Sequence, residues 1–298
     1  MNEYLMSVLL GIIEGLTEFL PVSSTAHLRI AEALLHISLK SGYWKMYTIV
    51  IQLGAILCLP VFFRARIVEL LTSFKRRLDG GRPVITHPLV LVIIAFVVTA
   101  IPAFLLTKII GKNLESLFVM GASLLIGGIV MWLVDARNAK WEIAGEQATD
   151  RSLIKTWRMD AMSVGPAVWI GACQILSAVF PGTSRSMSTI AAGQLAGMSR
   201  AAALEFSFFL SMPTMFVATC YDLLKSVMGK TENPIGVAEI NSHQWIVLAI
   251  GFVVSFLVAY GAVAWFIGYV RKRGFAPFAI YRIIVGAAVL YWASRGLG

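Results

Sequence analysis

Charged residues are scarce in this sequence. Only 14% of its 298 residues are Asp, Glu, Lys or Arg, and 58% are hydrophobic. An ordinary soluble domain has about 25% charged and about 45–50% apolar residues. A chain with so few charges cannot hide or cover its apolar surface in water. The scarcity excludes a soluble enzyme and predicts an integral membrane protein.

Cysteine is also scarce, and its three copies stand apart. Cys58, Cys173 and Cys220 all lie inside apolar runs, and none belongs to a CxxC pair. This spacing excludes a disulfide framework and a zinc site. We therefore expect the three side chains to be small buried hydrophobic groups.

Acidic residues are fewer than basic ones, which leaves a net charge of +9. The basic residues stand in short clusters between apolar runs, most clearly from Arg64 to Arg82. In a membrane protein such clusters set the orientation of the chain. The excess of basic residues therefore does not indicate a nucleic-acid partner, and none is expected.

Six apolar runs are long enough to cross a bilayer, which takes about 20 mostly apolar residues. We predict transmembrane helices at Trp44 to Phe63, His87 to Leu106, Leu117 to Val134, Ala203 to Leu224, Trp245 to Val270, and Phe275 to Ala293.

Two further apolar stretches, Tyr4 to His36 and Met162 to Gly197, are too long for one span. Each is interrupted near its middle, by Pro21-Val22-Ser23-Ser24-Thr25 and by Pro181-Gly182-Thr183-Ser184-Arg185. A proline followed by small hydroxyl residues ends one helix and caps the next. Each stretch is therefore predicted to be a helix, a break and a second helix.

The two breaks align at an offset of 160 residues. The offset pairs Gly11 with Gly171, Glu14 with Gln174, Pro21 with Pro181, and Ser24 with Ser184. In both halves a broken stretch is followed by three spans, which indicates an internal repeat. We predict one polytopic membrane domain over residues 1–298, with repeat one at 1–134, a link at 135–160 and repeat two at 161–298.

Lysine and arginine counts orient these repeats. The basic segments Arg64 to Arg82, Asp135 to Asp160 and 271–273 are predicted to be cytoplasmic, and the links near Lys108 and Lys225 to lie outside. Three spans per repeat then invert the second repeat relative to the first. The predicted fold is an all-α integral membrane protein. It consists of two inverted-topology repeats, each with a re-entrant broken helix pair and three transmembrane helices, and the breaks meet near the midplane as in many transporters.

The first break carries acidic and hydroxyl groups. Glu14 and Glu18 share a helix face, and paired carboxylates suit a divalent cation or a general base. Two glutamates on an interfacial helix would be the plainer interpretation. The second half-helix begins with hydroxyl residues and His27, at a helix N-terminus that favours anions. The hydroxyl candidates are Ser23, Ser24 and Thr25, for which plain helix capping is the alternative.

The second break carries a cation. Arg185 is a permanent charge in an apolar stretch and suits bidentate contact with phosphate, although an arginine that extends to the interface would also fit. Gly182 allows close approach of the backbone. Further candidates for substrate binding are Thr183, Ser184, Ser186, Thr189 and, in the first predicted span, Gln52, for which hydrogen bonding between helices is an equal interpretation.

Two segments carry a family resemblance. GIIEGLTEFLPVSSTAHL, residues 11–28, and PGTSRSMSTI, residues 181–190, resemble the signature segments of the bacterial undecaprenyl-diphosphate phosphatase, or bacitracin-resistance protein, family. The resemblance extends over most of the chain. Met187 departs from it, because glycine is expected there, and this side chain would narrow the pocket locally.

The resemblance implies an enzyme that hydrolyses undecaprenyl diphosphate to undecaprenyl phosphate and inorganic phosphate. This reaction recycles the lipid carrier of cell-wall sugars and confers bacitracin resistance. The resemblance also implies dependence on a divalent cation, Mg²⁺ or Ca²⁺, and a site open to the extracytoplasmic side of the bacterial plasma membrane. The expected partners are the polyprenyl diphosphate lipid and the bilayer, and a homodimer is kept as a candidate assembly.

These observations lead to one mechanistic hypothesis and its rivals. The catalytic candidates are Glu14, Glu18, Ser24, His27 and Arg185, with a metal at Glu14 and Glu18. Ser24 attacks the terminal phosphorus after activation by Glu18 or His27. In the rival versions His27 is the nucleophile, or water attacks directly. A polyprenyl-phosphate flippase is the main alternative function, since the predicted architecture is also that of transporters.

Overall fold

The computed structural model describes residues 2–37, 41–80, 83–106, 116–146, 154–228 and 240–295, without the side chains of 141–146 and 226–227. In these ranges the regular structure is helical, with one isolated bridge between Thr156 and Met198. The prediction of an all-α membrane protein is confirmed.

The described ranges contain the α-helices of the chain's regular structure. In chain order they are α1 (Glu3–Thr17), α2 (Ser24–Leu34), α3 (Gly42–Phe62), α4 (Arg64–Asp79), α5 (Pro88–Leu105), α6 (Leu117–Glu146), α7 (Val164–Val179), α8 (Arg185–Leu195), α9 (Arg200–Val227), α10 (Ser242–Arg273) and α11 (Ala276–Ser294). A short 3-10 helix, Met159–Ala161, precedes α7.

The six predicted spans are confirmed as α3, α5, α6, α9, α10 and α11, which are long and apolar enough to cross a membrane. Their ends agree with the prediction within three residues, apart from the end of α6. That helix continues past Val134, where the apolar run stops, to Glu146. Hydropathy locates only the apolar part of this helix, because many of the residues after Val134 are polar.

Both broken stretches are confirmed, as α1 with α2 and as α7 with α8. A serine with positive φ stands directly before each second half-helix: Ser23 at 74° and Ser184 at 69°. Such a conformation costs a non-glycine residue about 1–3 kcal/mol. The backbone thus pairs Ser23 with Ser184, whereas the sequence alignment pairs Ser24 with Ser184, because α8 begins one residue later in its repeat than α2 does.

Helix α4 was not predicted, since its sequence shows only as a basic segment. Arg66 in its first turn donates to Asp160 at 2.6 Å and to Glu205 at 2.8 Å, and it forms an ion pair with Glu69 at 2.8 Å. Burial alone would lower the pKa of Arg66, but hydrogen bonds to the three carboxylates raise it above its usual value. This network holds α4 to the turn before α7 and to α9, and it gives Glu205 a structural partner.

The chain forms two compact units. The first comprises Met1–Phe19, Ser24–Phe62 and Ser211–Ala264, and the second comprises Leu20–Ser23, Phe63–Leu210 and Trp265–Gly298. Each unit therefore contains segments of both predicted repeats. The four residues 20–23 of the first break belong to the second unit, together with the whole second break.

In the first unit, α1 packs closely on α3 and α10. A methyl group at Gly15 would lie 2.7 Å from the Ser255 carbonyl oxygen, so only glycine allows this approach. Ser7 Oγ donates to the Val247 carbonyl oxygen at 2.6 Å and lies 2.8 Å from the Tyr47 hydroxyl. The glutamates of α1 are thus held on a helix that is fixed along its length.

In the second unit, α6 packs against α11 and α5 against α7. Asp135 of α6 is buried and binds Arg200 of α9 through both carboxylate oxygens, at 2.7 and 3.0 Å. It also accepts the backbone N–H of Phe275 at 3.0 Å. Asp135 thus fixes the starts of α9 and α11 to α6.

Candidate active site

The first break brings a serine onto a carboxylate. Ser24 Oγ donates to Glu18 Oε2 at 2.5 Å, and both side chains are buried. Glu18 is the C-cap residue of α1 and Ser24 is the first residue of α2, so the short break folds the two helix ends together. A hydroxyl within hydrogen-bond reach of a base is the arrangement that an activated nucleophile needs.

Ser24 has one hydroxyl proton, and the structure directs it to Glu18. His27, the other predicted base, is half-buried three residues further along α2. The geometry therefore favours Glu18 as the base for Ser24. The remaining predicted hydroxyls flank this pair, with Ser23 buried in its strained conformation and Thr25 half-buried.

Glu14 lies one turn before Glu18 and is fully buried. Among the described residues, no donor forms a hydrogen bond with either of its carboxylate oxygens. Its acidic neighbours are Glu18 and Glu32. A buried ionised carboxylate without a donor costs several kcal/mol unless a cation compensates its charge or it takes up a proton. The arrangement therefore suits a cation held by Glu14 and Glu18.

In the described ranges, no group of three or more His, Cys, Asp or Glu side chains could hold a metal ion by itself. A cation at Glu14 and Glu18 would take its other ligands from water or from phosphate oxygens. Mg²⁺ commonly binds in this way, through one or two carboxylates plus phosphate. The two glutamates and a phosphate substrate thus form a chemically suitable ligand set.

The second break is a tight turn. Gly182 has φ 94°, and a methyl group there would lie 2.5 Å from the Met120 carbonyl oxygen. Thr183 N donates to the Phe180 carbonyl oxygen at 3.1 Å, and Ser184 Oγ accepts the Met187 N–H at 3.3 Å. Ser184, a predicted ligand, is therefore also the N-cap of α8.

Arg185 is the first residue of α8 and is half-buried. Its Nη1 donates to the Ser207 carbonyl oxygen over a long 3.5 Å. Thr189 Oγ1 donates to the Arg185 carbonyl oxygen at 2.9 Å and contacts Ser207 Oγ at 2.6 Å. Thr189 and the fully buried Ser186 thus support the start of α8.

Two glutamines remain from the sequence analysis, Gln174 in α7 and Gln52 in α3. Gln174, the counterpart of Glu14, is buried in α7 and donates to Thr99 Oγ1 at 3.1 Å. Thr99 Oγ1 in turn donates to the Gly171 carbonyl oxygen at 2.7 Å. Gln174 therefore joins α7 to α5. Gln52, proposed as a cavity residue, is half-buried in α3.

Arg282 is a residue that the sequence analysis missed. It lies in α11, is fully buried, and donates to the carbonyl oxygens of Pro21 at 3.0 Å, Gly182 at 3.0 Å and Ser123 at 3.2 Å. One side chain thus binds both breaks. The signal was a single charge inside the predicted span Phe275 to Ala293, where charged residues are rare and usually functional.

Met187, the residue that departs from the family pattern, lies in the first turn of α8. Its side chain is buried, and a methyl group at Gly127 would lie 2.7 Å from its terminal carbon, beside the Arg282 guanidinium. The residue that departs from the family pattern therefore packs against α6. Whether it narrows a substrate pocket stays a prediction.

Comparisons with known proteins agree over nearly the whole chain. A family model described as bacitracin resistance protein BacA matches residues 7–288. A protein of Koribacter versatilis (strain Ellin345) named undecaprenyl-diphosphatase is 66% identical over 297 residues, which is 99% of this chain and 100% of that protein. Proteins with the same name from Rhizobium etli (strain CIAT 652) and Caldanaerobacter subterraneus subsp. tengcongensis are 39% and 36% identical, over 99% of this chain and 99% and 98% of their own lengths.

Proposed function

Because the chain belongs to the bacitracin resistance protein BacA family, we propose that it is an undecaprenyl-diphosphatase. It hydrolyses undecaprenyl diphosphate to undecaprenyl phosphate and inorganic phosphate and so returns the lipid carrier to cell-wall synthesis. The observation that supports this function best is the hydrogen bond of Ser24 to Glu18, which provides a nucleophile with its base inside an apolar segment.

In the proposed reaction, Ser24 Oγ attacks the terminal phosphorus while Glu18 accepts the hydroxyl proton. The bond from phosphorus to the bridging oxygen breaks, and undecaprenyl phosphate leaves with that oxygen. Water then attacks the phosphoserine, releases inorganic phosphate and restores the serine. His27 as the nucleophile and direct attack by water remain the rival versions, but neither uses the short bond from Ser24 to Glu18.

Arg185 and the N-termini of α2 and α8 are proposed to bind the diphosphate. A helix N-terminus presents N–H groups and positive potential, and guanidinium binds phosphate through two donors at once. Phosphoryl transfer depends mainly on positioning and on stabilising charge. We therefore expect that loss of Arg185 slows the reaction as much as loss of Ser24.

Glu14 and Glu18 are proposed to hold a divalent cation, Mg²⁺ or Ca²⁺. When bound, the cation would neutralise charge on the phosphate oxygens. The orphaned carboxylate of Glu14 supports this role, because it has no donor among the described residues. Glu18 then serves both the cation and the serine.

The proposed location is the bacterial plasma membrane, with the two repeats in inverted topology and the reactive break entered from the extracytoplasmic side. Support comes from the six spans and from the basic residues at the end of α10, which belong on the cytoplasmic side. A lipid flippase is the second candidate, because two broken helix pairs are typical of transporters.

One experiment separates the two functions. The purified protein is incubated with undecaprenyl diphosphate in detergent, and released phosphate is measured. The same preparation in liposomes is then tested for movement of undecaprenyl phosphate between leaflets. Phosphate release by the wild-type protein, lost in Arg185→Ala, supports the phosphatase. Movement of the lipid with no phosphate release from a folded protein would favour the flippase.

A further inference from the structure

One guanidinium joins the two breaks of this fold. Arg282 donates to the carbonyl oxygens of Pro21 in the first break and Gly182 in the second, both at 3.0 Å. A third bond, to the Ser123 carbonyl oxygen at 3.2 Å, holds the same group to α6. Residues 20–23, the second break and Arg282 all lie in the second unit, so these contacts belong to one compact body.

The two carbonyl groups occupy equivalent places. Pro21 stands two residues before Ser23, and Gly182 stands two residues before Ser184. These serines are the ones with positive φ, at 74° and 69°. Strained conformations of this kind persist only where the surrounding structure enforces them. Through its bonds to the two carbonyl groups, the single side chain of Arg282 helps to hold both serines in this conformation.

Each break leads directly into a reactive group. Ser23 is followed by Ser24, whose hydroxyl donates to Glu18, and Ser184 is followed by Arg185. Carbonyl groups that lack helical partners are costly within a membrane unless the protein satisfies them. A neutral donor could satisfy one of them, but only a forked guanidinium presents several donors in a fixed plane.

We propose that Arg282 is a positioning residue for phosphate transfer. By fixing the Pro21 and Gly182 carbonyl groups, it fixes the backbone that leads directly in sequence to Ser24 and to Arg185. Among the described residues, all three hydrogen bonds of Arg282 go to backbone carbonyl groups, so it acts through the two breaks. The inference rests on the proposed phosphatase function.

The neighbouring helix is built around this side chain. A methyl group at Gly127 of α6 would collide with Arg282 Nη2. Gly127→Ala therefore displaces the guanidinium while the positive charge stays in the protein. Gly261 in α10 has open space around its Cα, so Gly261→Ala adds the same methyl group without a collision and serves as the matched control.

The test measures kcat and KM for phosphate release from undecaprenyl diphosphate, per folded molecule, for Arg282→Gln, Arg282→Lys, Gly127→Ala and Gly261→Ala. We expect Arg282→Gln to lower kcat about 100-fold with KM within threefold, since misplaced catalytic groups affect the reaction step. Arg282→Lys restores part of the rate, Gly127→Ala lowers kcat at least tenfold, and Gly261→Ala keeps it.

A second arginine distinguishes positioning from stability. Arg200→Gln removes another largely enclosed guanidinium of the same unit, which binds Asp135. It is expected to lower the unfolding temperature but to keep kcat per folded molecule. If Arg282→Gln fails to fold, the kcat values of Arg282→Lys and Gly127→Ala test the positioning role of Arg282.

The inference is overturned if folded Arg282→Gln or, failing that, Arg282→Lys and Gly127→Ala keep kcat within twofold of the wild-type value. It is also overturned if Arg200→Gln lowers kcat as much as the Arg282 variants do. A wild-type protein that releases no phosphate contradicts the proposed function instead, so the two failures are distinct.

Discussion

At the scale of single residues, the proton of Ser24 is the central feature. The hydroxyl donates to Glu18 over 2.5 Å, within a buried break. The sequence placed Glu14, Glu18, Ser24 and His27 in one window, but it could not say which base the serine uses. That choice depends on how residues 18–24 fold back, and helical spacing does not determine the shape of a break.

Glu18 and Ser24 are predicted to act as one unit. Glu18→Gln and Ser24→Ala should each lower kcat by about 100- to 10,000-fold, the range for loss of acid–base assistance. The double variant should be hardly slower than either single variant, because groups that work together are not additive. Steady-state phosphate release gives the three rates. Thr17→Val, which removes a hydroxyl that donates to the Ile13 carbonyl of its own helix, is the control and keeps its rate. Additive losses would instead show that Glu18 and Ser24 have separate roles.

Removal of the metal tests Glu14. We expect a chelator to abolish phosphate release and added Mg²⁺ or Ca²⁺ to restore it. Glu14→Gln should need at least tenfold more metal for half-maximal rate, because an amide replaces a charged oxygen ligand. Titration of the rate against metal concentration measures this shift. Equal metal requirements for both proteins would remove Glu14 from the proposed site.

Gln174, the counterpart of Glu14 in the second predicted repeat, is predicted to affect stability and not the reaction rate. Because it joins α7 to α5 through Thr99, Gln174→Leu should lower stability by about 1–3 kcal/mol through loss of a buried hydrogen bond. Its kcat should stay within threefold of the wild-type value. Thermal unfolding in detergent and phosphate release measure the two quantities. A large loss of kcat without loss of stability would show that the two repeats share the chemistry.

At the scale of elements, prediction from the sequence succeeded where hydropathy and turn chemistry coincide. The spans and the two interrupted stretches follow from apolar runs and from prolines followed by hydroxyl residues. Helix α4 was missed, because the mean hydropathy of a basic amphipathic segment is as low as that of a loop. The pairing of Ser23 with Ser184 was missed by one residue, because the lengths of the two breaks differ and only backbone geometry shows it.

The second break provides a test at this scale. Gly182→Ala places a side chain at φ 94° and against the Met120 carbonyl group, which should destabilise the protein by more than about 1 kcal/mol and slow phosphate release. Gly165→Ala, in open space on α7, should be neutral or stabilising by up to about 1 kcal/mol. Thermal unfolding and turnover compare the two. Equal behaviour of both variants would contradict the strained turn.

At the scale of the whole molecule, the basic and acidic groups outside the site hold helices together. Arg200 at the start of α9 binds the buried Asp135 on α6. Arg282 was missed because one charged residue hardly changes the mean hydropathy of a long apolar run. Its three carbonyl partners come from distant parts of the chain, which no local pattern brings together.

Breaking the pair of Asp135 and Arg200 is predicted to affect stability and not chemistry. Asp135→Asn should cost about 1–3 kcal/mol, because it leaves the largely enclosed Arg200 guanidinium without the Asp135 charge. Joint replacement by Leu at 135 and Met at 200 should recover much of this loss. Unfolding temperature reports stability, and phosphate release per folded molecule should stay near the wild-type rate. A selective loss of turnover would assign the pair to the site.

The most direct measurement is the kcat for phosphate release from undecaprenyl diphosphate by purified wild-type protein and by Ser24→Ala, in the same detergent and metal. We predict steady release by the wild type and a loss of about 100- to 10,000-fold in a folded Ser24→Ala protein, as for removal of a nucleophile that its base activates. Release by Ser24→Ala within tenfold of the wild-type rate would contradict this prediction and leave His27 or water as the attacking group.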